Sequence, residues 1–198
     1  KPKAGEKLHL RNYTKSGTYF LRERAVYLVD CALEFDLVPP TIIREIDGKV
    51  GSVQLYIPNA QPRFSPTEKN RAGWEFQRQI RKLWILDLLV RHSDRRDRNI
   101  LIAGEKVHAI DNGLSFSRDA LYLNGDYRGR DLPPGIASSI SRLLGSRVKR
   151  EELDRDLREL LPENEVDAFW LRLPKIHAIL VENHNQIPWG AGEPYEFV

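Results

Sequence analysis

Residues 83–116 read LWILDLLVRHSDRRDRNILIAGEKVHAIDNGLSF. The apolar run 83–90 has the period and density of a helix buried on most sides. RHSDRRDRN, 91–99, is too charged to continue it and predicts a loop. ILIA and KVHAI alternate around Gly104-Glu105 and predict a short hairpin. The ends of a hairpin lie side by side, so Asn99 and Asp111 should be neighbours in space, with Asp94 just behind. A carboxylate and a carboxamide oxygen so placed suit Mg²⁺, a hard cation that keeps waters and takes its remaining ligands from phosphates. A second carboxylate beside them can orient a hydroxyl nucleophile and accept its proton. Asp94, Asn99 and Asp111 are therefore the candidate catalytic set, with Asn99 and Asp111 as metal ligands. Asx turns in a polar surface loop are the plainer reading.

Outward from this stretch the chain changes character twice. From Tyr19 to Phe35 the set Leu21, Ala25, Leu28, Val29, Ala32 and Leu33 recurs at helical steps, and Val38-Pro39-Pro40 ends it. Cys31 lies in that pattern and reads as a small buried hydrophobe. TIIREI (41–46) and GSVQLYIP (51–58) predict two strands around an Asp-Gly-Lys turn. Residues 59–74 are polar and proline-bearing, and read as a junction. A helix follows from Trp74 to Val90, with Ile80, Leu83, Trp84 and Leu88 on one face. Beyond irregular structure at 111–134, three helical segments close the chain, the last interrupted by Pro174. His177 and His184 would share a face of that last helix, but no third ligand accompanies them to make zinc.

The 198 residues suffice for one large domain or two lobes, with 41% hydrophobic and 30% charged residues. A net charge of +3 is only mildly basic. Arginines cluster at Arg91, Arg95, Arg96 and Arg98, suiting phosphate, and again with Lys149 at Arg147 and Arg150, which reads as a solvated face. They lack the interleaved aromatics of an RNA platform, so no specific nucleic-acid partner is expected. No run approaches a membrane span, the first ten residues lack a signal-peptide core, and one cysteine cannot form an internal disulfide. A cytoplasmic setting is the expectation.

The stretch SDRRDRNILI…VHAIDNGLSF resembles the catalytic core of the bacterial phosphatidylinositol 3-/4-kinase-like proteins and their HipA-type relatives. Those carry D-R-H-x-x-N, a strand pair and then D-x-G or D-N-G. RERAVYLVDCALEFDLVPPTIIRE…GSVQLYIP is similar to the family's αC-like helix, VPP turn and strands before the nucleotide hinge, and the opening Lys-Pro resembles its Y-K-P strand. The resemblance covers roughly residues 1–135 in order. It implies an α+β, protein-kinase-like fold, with a truncated N-terminal lobe over 1–60 and a mainly helical C-terminal lobe over 61–198. ATP and Mg²⁺ would be the cofactors. Lys1 would bind the nucleotide phosphates with Glu23 as its partner, and Gln54 to Pro58, including Tyr56 and Ile57, would form the hinge for adenine. Residues 112–132 would be the activation segment, with Tyr122 and Tyr127 as candidate substrate contacts.

Two departures stand out. Arg96 occupies the position of the family's histidine; it can lend charge near the phosphates but cannot exchange a proton. No glycine-rich loop precedes Lys1 in the sequence at hand. His92 stands two residues before Asp94, as in the H-R-D of protein kinases, and reads as structural. The expected activity is transfer of the γ-phosphate to a hydroxyl, on a protein serine or threonine in preference to an inositol lipid or inositol phosphate, because no amphipathic basic helix supplies membrane affinity. A catalytically dead kinase-like binding module is the rival.

Overall fold

A computed structural model describes residues 17–63, 73–116 and 131–186. Lys1 and the segment holding Tyr122 and Tyr127 lie outside them. The fold is α+β: among the described residues there are five α-helices and two small antiparallel sheets.

Helix α1 spans Tyr19–Leu33. Glu34 ends it in the left-handed region at φ 58°, its N–H returned to the carbonyls of Asp30 and Cys31. Asp30 then accepts the N–H groups of Leu37 and Val38 at 3.0 and 3.1 Å, folding the Val38-Pro39-Pro40 turn back onto the helix. The buried face runs through Arg22, Glu23, Ala25, Val26, Val29, Asp30 and Leu33, whereas Leu21, Leu28 and Ala32 are only partly covered. Cys31 is exposed, not buried as its apolar neighbours suggest. The face is rotated because three charged groups on it find partners inside the protein, which removes the cost of burying them.

Strands β1 (Thr41–Ile46) and β2 (Lys49–Gln54) pair around Asp47 and Gly48, both left-handed at φ 51° and 71°. That is the geometry of a two-residue turn whose twist matches the strands. The turn sets Thr41 against Gln54. β2 stops there, short of the expected Pro58, because β1 is preceded by Pro39 and Pro40, which have no N–H to continue the ladder. The next rung is a single bond, Leu55 N–H to the Pro40 carbonyl at 2.8 Å.

The junction is more ordered than its composition suggests. Gln61–Pro62 forms β3, the edge of a sheet in the order β3-β4-β5 with β4 (Ile100–Ala103) and β5 (Lys106–Ala109). An edge is where a strand proline can sit. Helix α2 (Trp74–Leu89) buries Ile80, Leu83, Ile85, Leu86, Leu88 and Leu89, with Trp84 half-covered.

Helices α3 (Ile136–Gly145), α4 (Arg147–Leu160) and α5 (Glu163–Glu182) complete the fold. Ser146 caps α4 by accepting the Lys149 N–H. α5 runs through Pro174 unbroken. Pro174 is exposed, so its ring is accommodated on the outer face, while Phe169, Leu173, Ile176 and Leu180 anchor the inner face. His184 falls beyond the helix end, so it does not extend a shared face with His177. One contiguous core joins α1, α2, β4, β5 and the three C-terminal helices, and α1 packs on α4 as well as on β1 and β2. Each fully buried leucine or phenylalanine in it contributes about 2 kcal/mol. No helix among the described residues is long and apolar enough to cross a membrane.

Candidate functional site

After α2, Arg91 turns the chain through the left-handed region at φ 48° and starts the charged loop. A 3₁₀ turn, Asp97–Asn99, delivers Asn99 to the mouth of the β4–β5 hairpin. There Ile100 faces Ala109, and the Ile110 N–H continues the ladder to the Asn99 carbonyl at 3.0 Å. Asn99 is therefore level with Ile110, one residue from Asp111. Asp111 is left-handed at φ 59°, which swings the following Asn112 inward.

His92 links the two halves of the site. Its Nδ1 accepts the backbone N–H of Asp94 at 3.2 Å, and its Nε2 lies 3.1 Å from the backbone carbonyl of Asp111. An Nδ1 that accepts must be unprotonated, so the proton sits on Nε2 and is donated to Asp111. Burial, with the Arg95 cation beside it, lowers the ring's pKa to about 4 and keeps it neutral. The structural reading of His92 agrees with these bonds.

Arg95 is the hub. Its guanidinium grips Asp87 of α2, donates to the Ile110 carbonyl at 2.8 Å and reaches Asn112 Oδ1 at 2.7 Å. One side chain thus ties α2, the end of the hairpin and the residue after Asp111. By its clustering Arg95 suits phosphate, yet its partner is Asp87, an aspartate hidden in an apolar run. An aspartate inside a buried helix eight residues before an arginine was the available signal.

Arg96 faces outward and donates to Asp94 Oδ1 through Nε at 2.9 Å and Nη2 at 2.8 Å. The Asp94 side chain is 19% exposed, accessible to a substrate, while Arg96 is 53% exposed. Asn99 is buried and donates through Nδ2 to the Asp94 carbonyl at 3.3 Å, a bond that does not use its Oδ1. Among the described residues no three His, Cys, Asp or Glu side chains gather into a metal cage. A carboxamide and a carboxylate oxygen, as Asn99 and Asp111 carry, are the donor types taken by a hard cation that keeps waters and draws its other ligands from phosphates.

Glu23 is buried and accepts the Asn112 backbone N–H at 2.9 Å, so α1 contacts the residue that follows Asp111. Its neighbour Arg22 donates to the Ser115 carbonyl at 2.7 Å and pairs with Glu165 of α5 at 2.8 Å. The chain after Asp111 is thus held from α1 on one side and by Phe116 packed on Phe169 on the other. The predicted hinge residues are less engaged. Gln54 spends its amide on Thr41 Oγ1 at 2.9 Å, Ile57 is half-buried and Tyr56 is 81% exposed. Asp94, Asn99, Asp111, Arg96 and Glu23 form or adjoin one locus, whereas Gln54, Tyr56 and Ile57 lie on the segment after β2.

No family model and no curated protein matches this chain.

Proposed function

We propose that this protein is a phosphotransferase of the bacterial phosphatidylinositol 3-/4-kinase-like type, working in a cytoplasmic setting with ATP and Mg²⁺. In this reading α1, β1 and β2 belong to a small nucleotide lobe and the helices to a larger one. The observation that carries it is the hairpin register: Asn99 lies level with Ile110, beside Asp111, while His92 holds the Asp94 and Asp111 backbones together. Asn99 Oδ1 and the Asp111 carboxylate would hold the metal, whose charge, once bound, neutralises the triphosphate. Asp94 orients the acceptor hydroxyl and takes its proton. Glu23 and Arg95 act on Asn112 and keep Asp111 in place. A protein serine or threonine is the preferred acceptor, an inositol lipid or inositol phosphate the alternative.

The Arg96–Asp94 pair favours a second reading, a kinase-like module that binds nucleotide without turning it over, because it occupies an oxygen the base would use. Thermal stability with ATP, with and without Mg²⁺, tests the binding both readings share. A ligand that binds only the folded state raises its stability. A Mg²⁺-dependent rise in the wild type that vanishes in Asp111→Asn supports the site, and no rise in the wild type overturns it. Turnover then separates the two readings: Asp94→Ala should keep binding and lose ATP consumption, and a wild type that binds without consuming ATP is the inert module.

A further inference from the structure

Helix α5 turns one stripe of side chains inward, Glu165, Phe169, Arg172 and Ile176, at steps of three and four residues. Glu165 pairs with Arg22 of α1 at 2.8 Å, and Phe169 packs on Phe116. Arg172 is 1% exposed and donates through Nε to the Leu89 carbonyl at 3.2 Å, at the end of α2. Its Nη1 and Nη2 are buried with no hydrogen-bond partner among the described residues. The Ser115 hydroxyl is orphaned in the same way. Phe116 donates its N–H to the Val90 carbonyl, so both orphans belong to one crossing, where residues 115–116 meet the end of α2 beneath α5.

The carboxylates buried among the described residues are all engaged elsewhere. They are Glu23, Asp30, Asp87 and Glu165. Glu23 accepts the Asn112 N–H, and Asp30 accepts those of Leu37 and Val38. Asp87 is gripped by Arg95, and Glu165 is taken by Arg22. Burial and the Arg91 cation outweigh Glu165 and lower the Arg172 pKa to about 9, which still leaves it charged at neutral pH. A charge in the interior is costly unless it is paired and hydrogen-bonded.

We propose that Arg172 is the receptor of a small monocarboxylate, held through the paired Nη1 and Nη2 donors. Two parallel N–H groups match the two oxygens of a carboxylate. Nε is spent on Leu89, so the end of the fork is the edge left to bind. One uncompensated guanidinium calls for one negative charge, and the buried Leu89, Phe116, Phe169 and Leu173 around it disfavour a heavily hydrated dianion such as phosphate. The site shares no residue with the proposed catalytic locus and stands without it.

Thermal unfolding of the full chain tests it, with sodium acetate replacing sodium chloride at constant ionic strength. The wild-type melting temperature should rise with acetate along a saturating curve, as for any ligand that binds only the folded state. Arg172→Met should show no such rise. Arg172→Lys keeps the charge and loses the fork, so it should need about tenfold more acetate for the same rise. No saturable rise in the wild type overturns the proposal and leaves the fork to water or chloride. Equal acetate responses in the wild type and Arg172→Lys, or a full response in Arg172→Met, overturn it by placing the acetate elsewhere.

Discussion

Arg95 holds Asp87 in a two-pronged grip, Nε at 2.9 Å from one carboxylate oxygen and Nη2 at 2.8 Å from the other, with the paired side chains only 8% and 11% exposed. Removing one partner of such a pair strands the other charge in the interior, which costs about 3–5 kcal/mol. Asp87→Asn should therefore lower the urea-unfolding free energy by about 3 kcal/mol, and Arg95→Lys should be damaging as well, since an ammonium cannot span the same acceptors. A loss below about 1 kcal/mol for Asp87→Asn would remove the pair from its organising role.

The partly buried His92 and the buried Asp30 set opposing pH dependences. His92 titrates near 4 when folded, against 6.5 for the ordinary ring, so between those values the unfolded chain binds the extra proton and stability rises with pH. Burial raises Asp30 from 3.8 to about 6, so across that window the folded state holds the extra proton and stability falls with rising pH. The two contributions nearly offset one another between about pH 4 and 6. Asp30→Asn should expose the His92 slope, up to about 1.4 kcal/mol per pH unit with stability rising, and His92→Gln the reverse. Urea midpoints at about pH 4.5 and about pH 6 decide it, and slopes of the same sign in both variants would contradict the assignment.

Arg172 is 1% exposed; its Nε reaches the Leu89 carbonyl at 3.2 Å, but Nη1 and Nη2 find no hydrogen-bond partner among the described residues. Burial, with Arg91 nearby, lowers its pKa to about 9. A buried cation answered so poorly is a stability cost, and an apolar side chain of similar length should relieve it. Arg172→Met should raise the unfolding free energy by about 1–3 kcal/mol in the same urea assay. A destabilised variant would mean that the guanidinium is satisfied within the fold.

Arg96→Ala isolates the outward-facing pair at the candidate site. With Arg96 half in solvent, the contact to Asp94 should be worth less than about 1 kcal/mol of stability. The stability of Arg96→Ala should thus match the wild type by urea denaturation, which makes it a clean background for asking whether freeing Asp94 raises ATP consumption. A loss well above that figure would mark Arg96 as part of the loop's framework.

Much of the local structure was legible in the residues. The helical period of 74–90, the Asp-Gly turn before Lys49 and the alternation of 100–109 each place their element to within a few positions. These signals are local and need no knowledge of what packs above them. What failed has a common form. Apolar spacing puts Cys31 and Leu28 on the buried face of α1, but Arg22, Glu23 and Asp30 take that face because the Glu165 carboxylate and the backbone N–H groups of Asn112, Leu37 and Val38 answer them there. β3 was missed because a proline reads as a break, and only an edge of a sheet makes it tolerable.

At the candidate site, the sequence by itself determined that a hairpin carries Asn99 and Asp111 to a common end, since hairpin geometry follows from chain-local pattern and turn chemistry. Only the tertiary structure decided what holds that end in place: His92 between Asp94 and Asp111, Arg95 between Asp87 and Asn112, and Glu23 reaching in from α1. Those bonds join groups up to 89 residues apart. Their worth comes from shared burial, where an unanswered polar group is costly and an answered one fixes geometry, and burial is a property of the assembled chain.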